Sequence, residues 1–203
     1  MAALTIGLLV FLGTHSIRIF GDGWRSAQIA RLGEQRWKSL YALVSMLGMV
    51  LVVWGYGLTR AEPVIVWEPP GWTRHVTLLL MLPAMILFVA AYVPANRIKA
   101  ALGHPMVAGT KLWAFAHLLS NGWLGDVLLF GTFLVWASLN FAAARQRDRR
   151  ADIRHPIGSP SRDVATVVIG VVLWALFAFT LHSWLIGVSV LPPVALLRAL
   201  PLV

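Results

Sequence analysis

Long apolar runs separated by short polar segments dominate the hydropathy pattern of this chain. An α-helix needs about 20 residues to cross a bilayer, and six runs approach or reach that length. They predict membrane helices at residues 2–20, 39–58, 75–93, 105–120, 123–143 and 164–187. The pattern therefore predicts an all-α polytopic transmembrane helix bundle with six membrane helices.

The composition excludes a soluble domain. Hydrophobic residues make up 59% of the 203 positions and charged residues only 12%, whereas a soluble protein has about 25% charged residues. Too few polar side chains remain to cover a water-facing surface. We predict one transmembrane domain over residues 1–203, surrounded by the lipid bilayer, with a basic loop at about residues 144–163.

The net charge of +9 comes from short loops between the apolar runs and not from one soluble face, so nucleic-acid binding is rejected. Lys and Arg concentrate in the first, third and fifth loops, which the positive-inside rule places in the cytoplasm. Both termini are then predicted to lie outside, which is periplasmic in a bacterium. The loop residues that carry this prediction are Arg25, Arg31, Arg36, Lys38, Arg97, Lys99, Arg145, Arg147, Arg149, Arg150, Arg154 and Arg162.

Some shorter features also predict structure. A basic stretch punctuated by apolar residues predicts an interfacial helix, the apolar residues being Trp24, Ile29 and Leu32. Residues 63–72, with two Trp and three Pro, predict a short interfacial or re-entrant turn. In the second span, Gly48 with Gly55 or Gly57 offers small residues for close helix packing.

Ionisable groups inside a bilayer are costly and usually functional. His15 in the first span and His117 in the fourth are neutral nitrogen donors, and two imidazoles on different helices suit the axial positions of haem iron. Arg18, one turn nearer the cytoplasm than His15, would suit the haem propionates. The residues one turn before His117 are Trp113 and Ala114, and a small residue there lets a flat ligand approach.

A plainer alternative stays open, in which each histidine only hydrogen-bonds a neighbouring helix. His104, in a Gly-His-Pro turn, and His182, near the outer end of the sixth span, form the reserve pair of metal ligands. His75 and His155 are predicted to be solvated. The chain has no cysteine, which excludes thiolate sites and disulfides.

Several runs together resemble the NnrU family. They are Gly13-Thr-His-Ser-Ile-Arg18, Arg36-Trp-Lys-Ser-Leu-Tyr41, Gly103-His-Pro-Met106, Lys111-Leu-Trp-Ala-Phe-Ala-His-Leu-Leu-Ser-Asn-Gly122 and His182-Ser-Trp-Leu-Ile-Gly-Val188. The resemblance implies a bacterial inner-membrane protein associated with nitric oxide metabolism and denitrification. It also implies kinship with 15-cis-zeta-carotene isomerase, a haem b protein whose histidine ligands stand in motifs similar to those of His15 and His117.

One departure from the isomerase bears on function. That enzyme has a cysteine three residues before its second ligand, where this chain has Ala114, so a histidine-to-cysteine ligand switch is impossible here. The first hypothesis is therefore a haem b protein in nitric oxide metabolism. The alternatives are a haem-dependent cis–trans isomerase of a polyene such as a carotenoid, and a cofactor-free assembly protein.

Overall fold

The structure is a computed structural model that describes residues 1–153, 155–156 and 158–190. Most of these residues lie in helices: α1 Ala2–Phe20, α2 Asp22–Leu32, α3 Glu34–Ala61, α4 Thr73–Tyr92, α5 Arg97–Leu102, α6 Pro105–Ser120, α7 Leu124–Arg150, α8 Pro160–Leu176, a π-helical turn Phe177–Leu181, and α9 His182–Ile186. Arg154 of the predicted basic loop and the C-terminal residues 191–203 lie outside the described residues. The all-α prediction is confirmed.

Five of the described helices are long and apolar enough to cross a membrane: α1, α3, α4, α7 and the continuous helical stretch Pro160–Ile186. The predicted count of six differs at α6. This helix has the predicted ends, but its 16 residues extend only about 24 Å, less than the roughly 30 Å of a hydrocarbon core. The chain is thus a polytopic helical membrane protein in which α6 is shorter than the candidate spans.

The exposed faces of the long helices are apolar. Leu43, Val53 and Trp54 on α3 are 63%, 65% and 59% exposed. In the apolar window of each candidate span, at most 22% of the residues are buried inside the protein. Such continuous apolar surface is stable against lipid and not against water.

The chain divides into two compact units by its internal contacts. Unit one contains α1, α2, α3 and α7, and unit two contains α4, α5, α6 and the helical stretch from α8 to α9. The prediction of a single domain over the whole chain stays a prediction.

In unit one, α1 and α3 are antiparallel and touch backbone to backbone. A Cβ atom at Gly48 would lie 2.7 Å from the backbone nitrogen of Phe11, and one at Gly55 would collide with the backbone of Leu4. Small residues are what such close approach requires. The packing prediction is confirmed for Gly48 and Gly55. It is wrong for Gly57, where an added Cβ atom would have no contact within 4 Å among the described residues.

The stretch predicted as an interfacial helix is helical, as α2, and its Trp24 packs edge to face on Trp37 of α3, with ring centroids 5.7 Å apart. The predicted turn at residues 63–72 is also non-helical. Its backbone pairs with the start of α7, where the Val66 N–H donates to the Gly122 carbonyl at 2.9 Å. The first turn of α7 is held by Asp126, whose carboxylate accepts from the Tyr56 hydroxyl at 2.6 Å.

The basic loop predicted at residues 144–163 is shorter than expected. Helix α7 continues to Arg150 and α8 begins at Pro160. Arginine is a good helix former, and the basic residues in the last turn of α7 complement the negative end of the helix dipole. The arginines after the apolar run of α7 therefore mark the end of its apolar part but continue the helix to Arg150.

In unit two, α4 packs against α6 and α8, and side-chain donors to backbone carbonyls join these helices. The Thr77 hydroxyl donates to the Ala116 carbonyl at 2.8 Å, and the Trp174 indole donates to the Leu78 carbonyl at 3.0 Å. At the turn between α5 and α6, Gly103 has a φ of +73°, a conformation that favours glycine.

Candidate functional site

His15 lies in the penultimate turn of α1, with its ring nitrogen tied to its own helix. Its Nδ1 atom is 2.7 Å from the carbonyl oxygen of Phe11. A carbonyl oxygen only accepts, so Nδ1 donates and carries the proton of the neutral ring. The lone pair is then on Nε2, which is the atom that would bind a metal.

Aromatic rings from three helices of unit one surround the His15 imidazole. The ring centroids of Phe11, Tyr41 and Trp136 are 4.2, 5.3 and 6.1 Å from that of His15. These rings come from α1, α3 and α7. The site is therefore assembled by packing, although the histidine itself belongs to a local sequence motif.

A cavity of about 460 Å³ opens beside His15 within unit one. Its wall includes His15 and Arg18 of α1, Arg25 of α2, and Trp37 and Lys38 of α3. This volume falls in the roughly 300–1,000 Å³ range of small-molecule sites. His15 and Arg18 thus line the same cavity, and the role of Arg18 toward a cofactor stays a prediction.

Two buried donors near this site have no hydrogen-bond partner within the part of the chain that the structure describes. They are the Trp136 indole Nε1 and the Ser45 hydroxyl. Ser45 lies four residues after Tyr41 and three before Gly48 on α3, on the face that meets α1. An unpaired buried donor costs about 1–3 kcal/mol, and neither of these residues is in the wall of the cavity.

His117 lies in the last turns of α6 and uses the same backbone arrangement as His15. Its Nδ1 is 2.9 Å from the Trp113 carbonyl oxygen, so its lone pair is also on Nε2 by the same argument. The Trp113 and His117 ring centroids are 5.4 Å apart, and Ala114 and Ala116 are fully buried. The predicted cluster of Trp113, Ala114 and His117 is therefore a local feature of this helix.

The reserve histidines both lie in unit two. His182 begins α9 directly after the π-helical turn, and its Nδ1 is 2.7 Å from the Val188 carbonyl oxygen. His104 precedes Pro105, the first residue of α6, and its ring centroid is 6.0 Å from that of His155. His155, predicted to be solvated, is half-buried, whereas His75 is exposed as predicted.

The family comparison covers nearly the whole chain. A family model described as NnrU protein matches residues 3–190. The chain belongs to the NnrU family. No curated protein and no solved structure matches it.

Within this NnrU chain, the donor set fits haem b. The imidazoles of His15 on α1 and His117 on α6 each direct Nδ1 to the backbone of their own helix, and His15 lines a cavity that also contains basic side chains. Because His15 belongs to unit one and His117 to unit two, their pairing across one ligand stays a prediction.

Sequence reasoning missed several residues around His15. Arg25 and Lys38 were used only as loop charges, although both line the cavity. Tyr41 appeared only as the end of a family motif, and Trp136 was not singled out. The one available signal was the mid-span position of Trp136, since an indole away from the membrane edges needs a partner for its N–H.

Proposed function

We propose that this protein is a b-type haem protein of the bacterial inner membrane, with the iron between His15 and His117, acting in nitric oxide metabolism. The observation that carries the proposal is that both imidazoles make the same hydrogen bond to their own helix. Each donates Nδ1–H to the carbonyl four residues earlier, at 2.7 and 2.9 Å. A second-sphere hydrogen bond of this kind fixes the ring orientation and the coordinating nitrogen of a metal-binding histidine.

Other features support haem over a bare cation. The chain lacks cysteine, and the rings around His15 are apolar on their faces, which suits a flat macrocycle better than a hydrated ion. Trp113 and Ala114 would border the ligand on the His117 side, and Arg18 would hold a propionate. Bound haem would supply a one-electron centre, and nitric oxide would bind its iron only in place of one of the two histidines.

The proposed location follows from loop charge. We place the basic loops in the cytoplasm and both termini in the periplasm. Reporter fusions at the C-terminus test this: alkaline phosphatase is expected to be active there and a cytoplasmic reporter silent. A cytoplasmic C-terminus would mean that α6, with its 16 residues, does not cross the membrane.

The decisive experiment is the visible spectrum of detergent-purified protein, oxidised and then reduced with dithionite. We expect the bands of a low-spin, six-coordinate haem b. His15→Ala and His117→Ala should each abolish the low-spin spectrum or the haem itself. His75→Ala, a change of the same type at an exposed histidine, should leave the spectrum unchanged.

Three results would count against the proposal. Purified protein without haem after expression in haem-sufficient cells would favour the cofactor-free assembly protein. Low-spin bands that persist in both the His15 and His117 variants would move the site to His104 and His182. Conversion of cis-zeta-carotene in an expressing host would instead favour the polyene isomerase, which we rank second because Ala114 stands where the isomerase has its cysteine.

A further inference from the structure

The cavity beside His15 collects positive charge from three separate helices. Arg18 comes from α1, Arg25 from α2 and Lys38 from α3, and Glu34 is the carboxylate in the same wall. These cations lie 7 to 20 positions apart in sequence. Their convergence depends on the folding of α2 and α3 back toward α1.

Two of these three cations are paired with acids at this end of unit one. Lys38 pairs with Glu34 at 2.8 Å, and Arg25 lies 3.7 Å from Asp22. Both pairs are at least partly exposed to solvent, and exposed pairs contribute little stability, so a ligand carboxylate can compete for these cations.

Helix α7 adds a further guanidinium to this end of unit one. Arg147 donates to the Arg18 carbonyl at 3.2 Å. Its guanidinium interacts electrostatically with the Arg18 and Arg25 side chains, and also with the carboxylates of Asp22 and Asp148. Like charges held together in this way are stabilised by a bound anion.

The rest of the cavity wall is not suited to a free inorganic anion. Ile17, Ile29 and Trp37 provide apolar surface, and His15 and Tyr41 line the same space. A ligand that satisfies all of these groups has an acidic edge, an apolar body and an atom that an imidazole can bind. Haem has this combination, with carboxylates on one edge of an apolar ring that carries iron.

We propose that Arg18, Arg25 and Lys38 form the carboxylate subsite of the haem whose iron binds His15. This inference rests on the proposed function and extends it to residues of α2 and α3. Charge-assisted hydrogen bonds between guanidinium or ammonium groups and carboxylates are among the stronger polar contacts. The subsite would set both the affinity and the orientation of the cofactor.

The test compares haem with its dimethyl ester, in which both carboxylates are blocked. Full-length apo-protein in neutral detergent is titrated with each compound, and the Kd is read from the low-spin absorption. The wild type should bind haem about tenfold more tightly than the ester. In the double variant Arg25→Gln/Lys38→Gln this preference should fall to about twofold, through weaker haem binding, because Arg18 alone then remains to hold a carboxylate.

The matched control is Arg31→Gln, which removes one charge from α2 at an exposed position that is not in the cavity wall. It should keep the full preference for haem. Raising the salt concentration should reduce the preference in the wild type and in this control, because exposed charges are screened.

The outcomes separate the two proposals. Low-spin binding of haem and of the ester with equal affinity by the wild type would overturn the subsite and leave the haem site intact. Low-spin binding of neither compound would overturn the proposed function itself. If the double variant keeps its haem preference but loses phosphatidylglycerol retained by the wild type in nanodiscs, the cations serve a lipid phosphate and the subsite is overturned.

Discussion

His15 and His117 use the same local arrangement in different surroundings. Each ring donates from Nδ1 to the carbonyl one turn back. His15 lies among aromatic rings from three helices and lines a cavity with basic walls, whereas His117 lies on a helix whose neighbouring Ala114 and Ala116 are fully buried. A helical motif thus fixes which nitrogen can bind a ligand, while packing decides what else the ligand meets.

The difference extends to how each histidine is held in place. The Phe11 carbonyl that orients His15 belongs to the residue against which Gly48 packs. Ala116, next to His117, accepts a hydrogen bond from Thr77 of α4. The His15 side therefore depends on backbone-to-backbone contact between α1 and α3, and the His117 side depends on a side-chain hydrogen bond between α4 and α6.

The largest expected effect comes from Gly48→Ala, which should destabilise the protein by about 3 kcal/mol because the new methyl group meets the Phe11 backbone. Gly57→Ala is the control in the same helix, and with open space around it it should be neutral or stabilise by up to about 1 kcal/mol. Both are measured by SDS unfolding in mixed micelles. Equal stability of the two variants would contradict the close packing of α1 on α3.

A smaller effect is expected from filling the space beside His117. Ala114→Leu adds three carbons at a fully buried position and should cost about 2 kcal/mol by overpacking. Phe115→Leu, at the next position, which is 45% exposed, should change the free energy of unfolding by less than about 0.5 kcal/mol. If Ala114→Leu is as stable as the wild type, the wall beside His117 is not tightly packed.

The smallest effect is expected from Thr77→Val, which removes the donor to the Ala116 carbonyl while keeping the side-chain shape. Interhelical hydrogen bonds of this kind contribute about 0.6 kcal/mol in membrane proteins. The same unfolding measurement should detect that loss. A change above about 2 kcal/mol would indicate that Thr77 does more than join α4 to α6.

The comparison also shows how far sequence reasoning reached. The ends of α1 and α6 agree with the prediction to the residue, because an apolar run and a proline at a helix start are local signals. Helices α3 and α7 are longer than predicted, because the charged residues beyond each apolar run are still good helix formers. The turn at residues 63–72 and the helix at residues 22–32 were recognised from their Trp, Pro and basic residues.

The sequence by itself determined the membrane class and the approximate positions of the long helices, since both depend on apolar runs along the chain. Only the tertiary structure decided that Arg25 and Lys38 share a cavity with His15, that Gly55 and not Gly57 faces the α1 backbone, and that Trp136 stands beside His15. Trp136 is 121 positions from His15 in the chain. Hydrophobic periodicity shows which face of a helix is apolar. The helix that packs on that face is the one that can approach most closely. In unit one, small residues at the α1–α3 contact allow that approach.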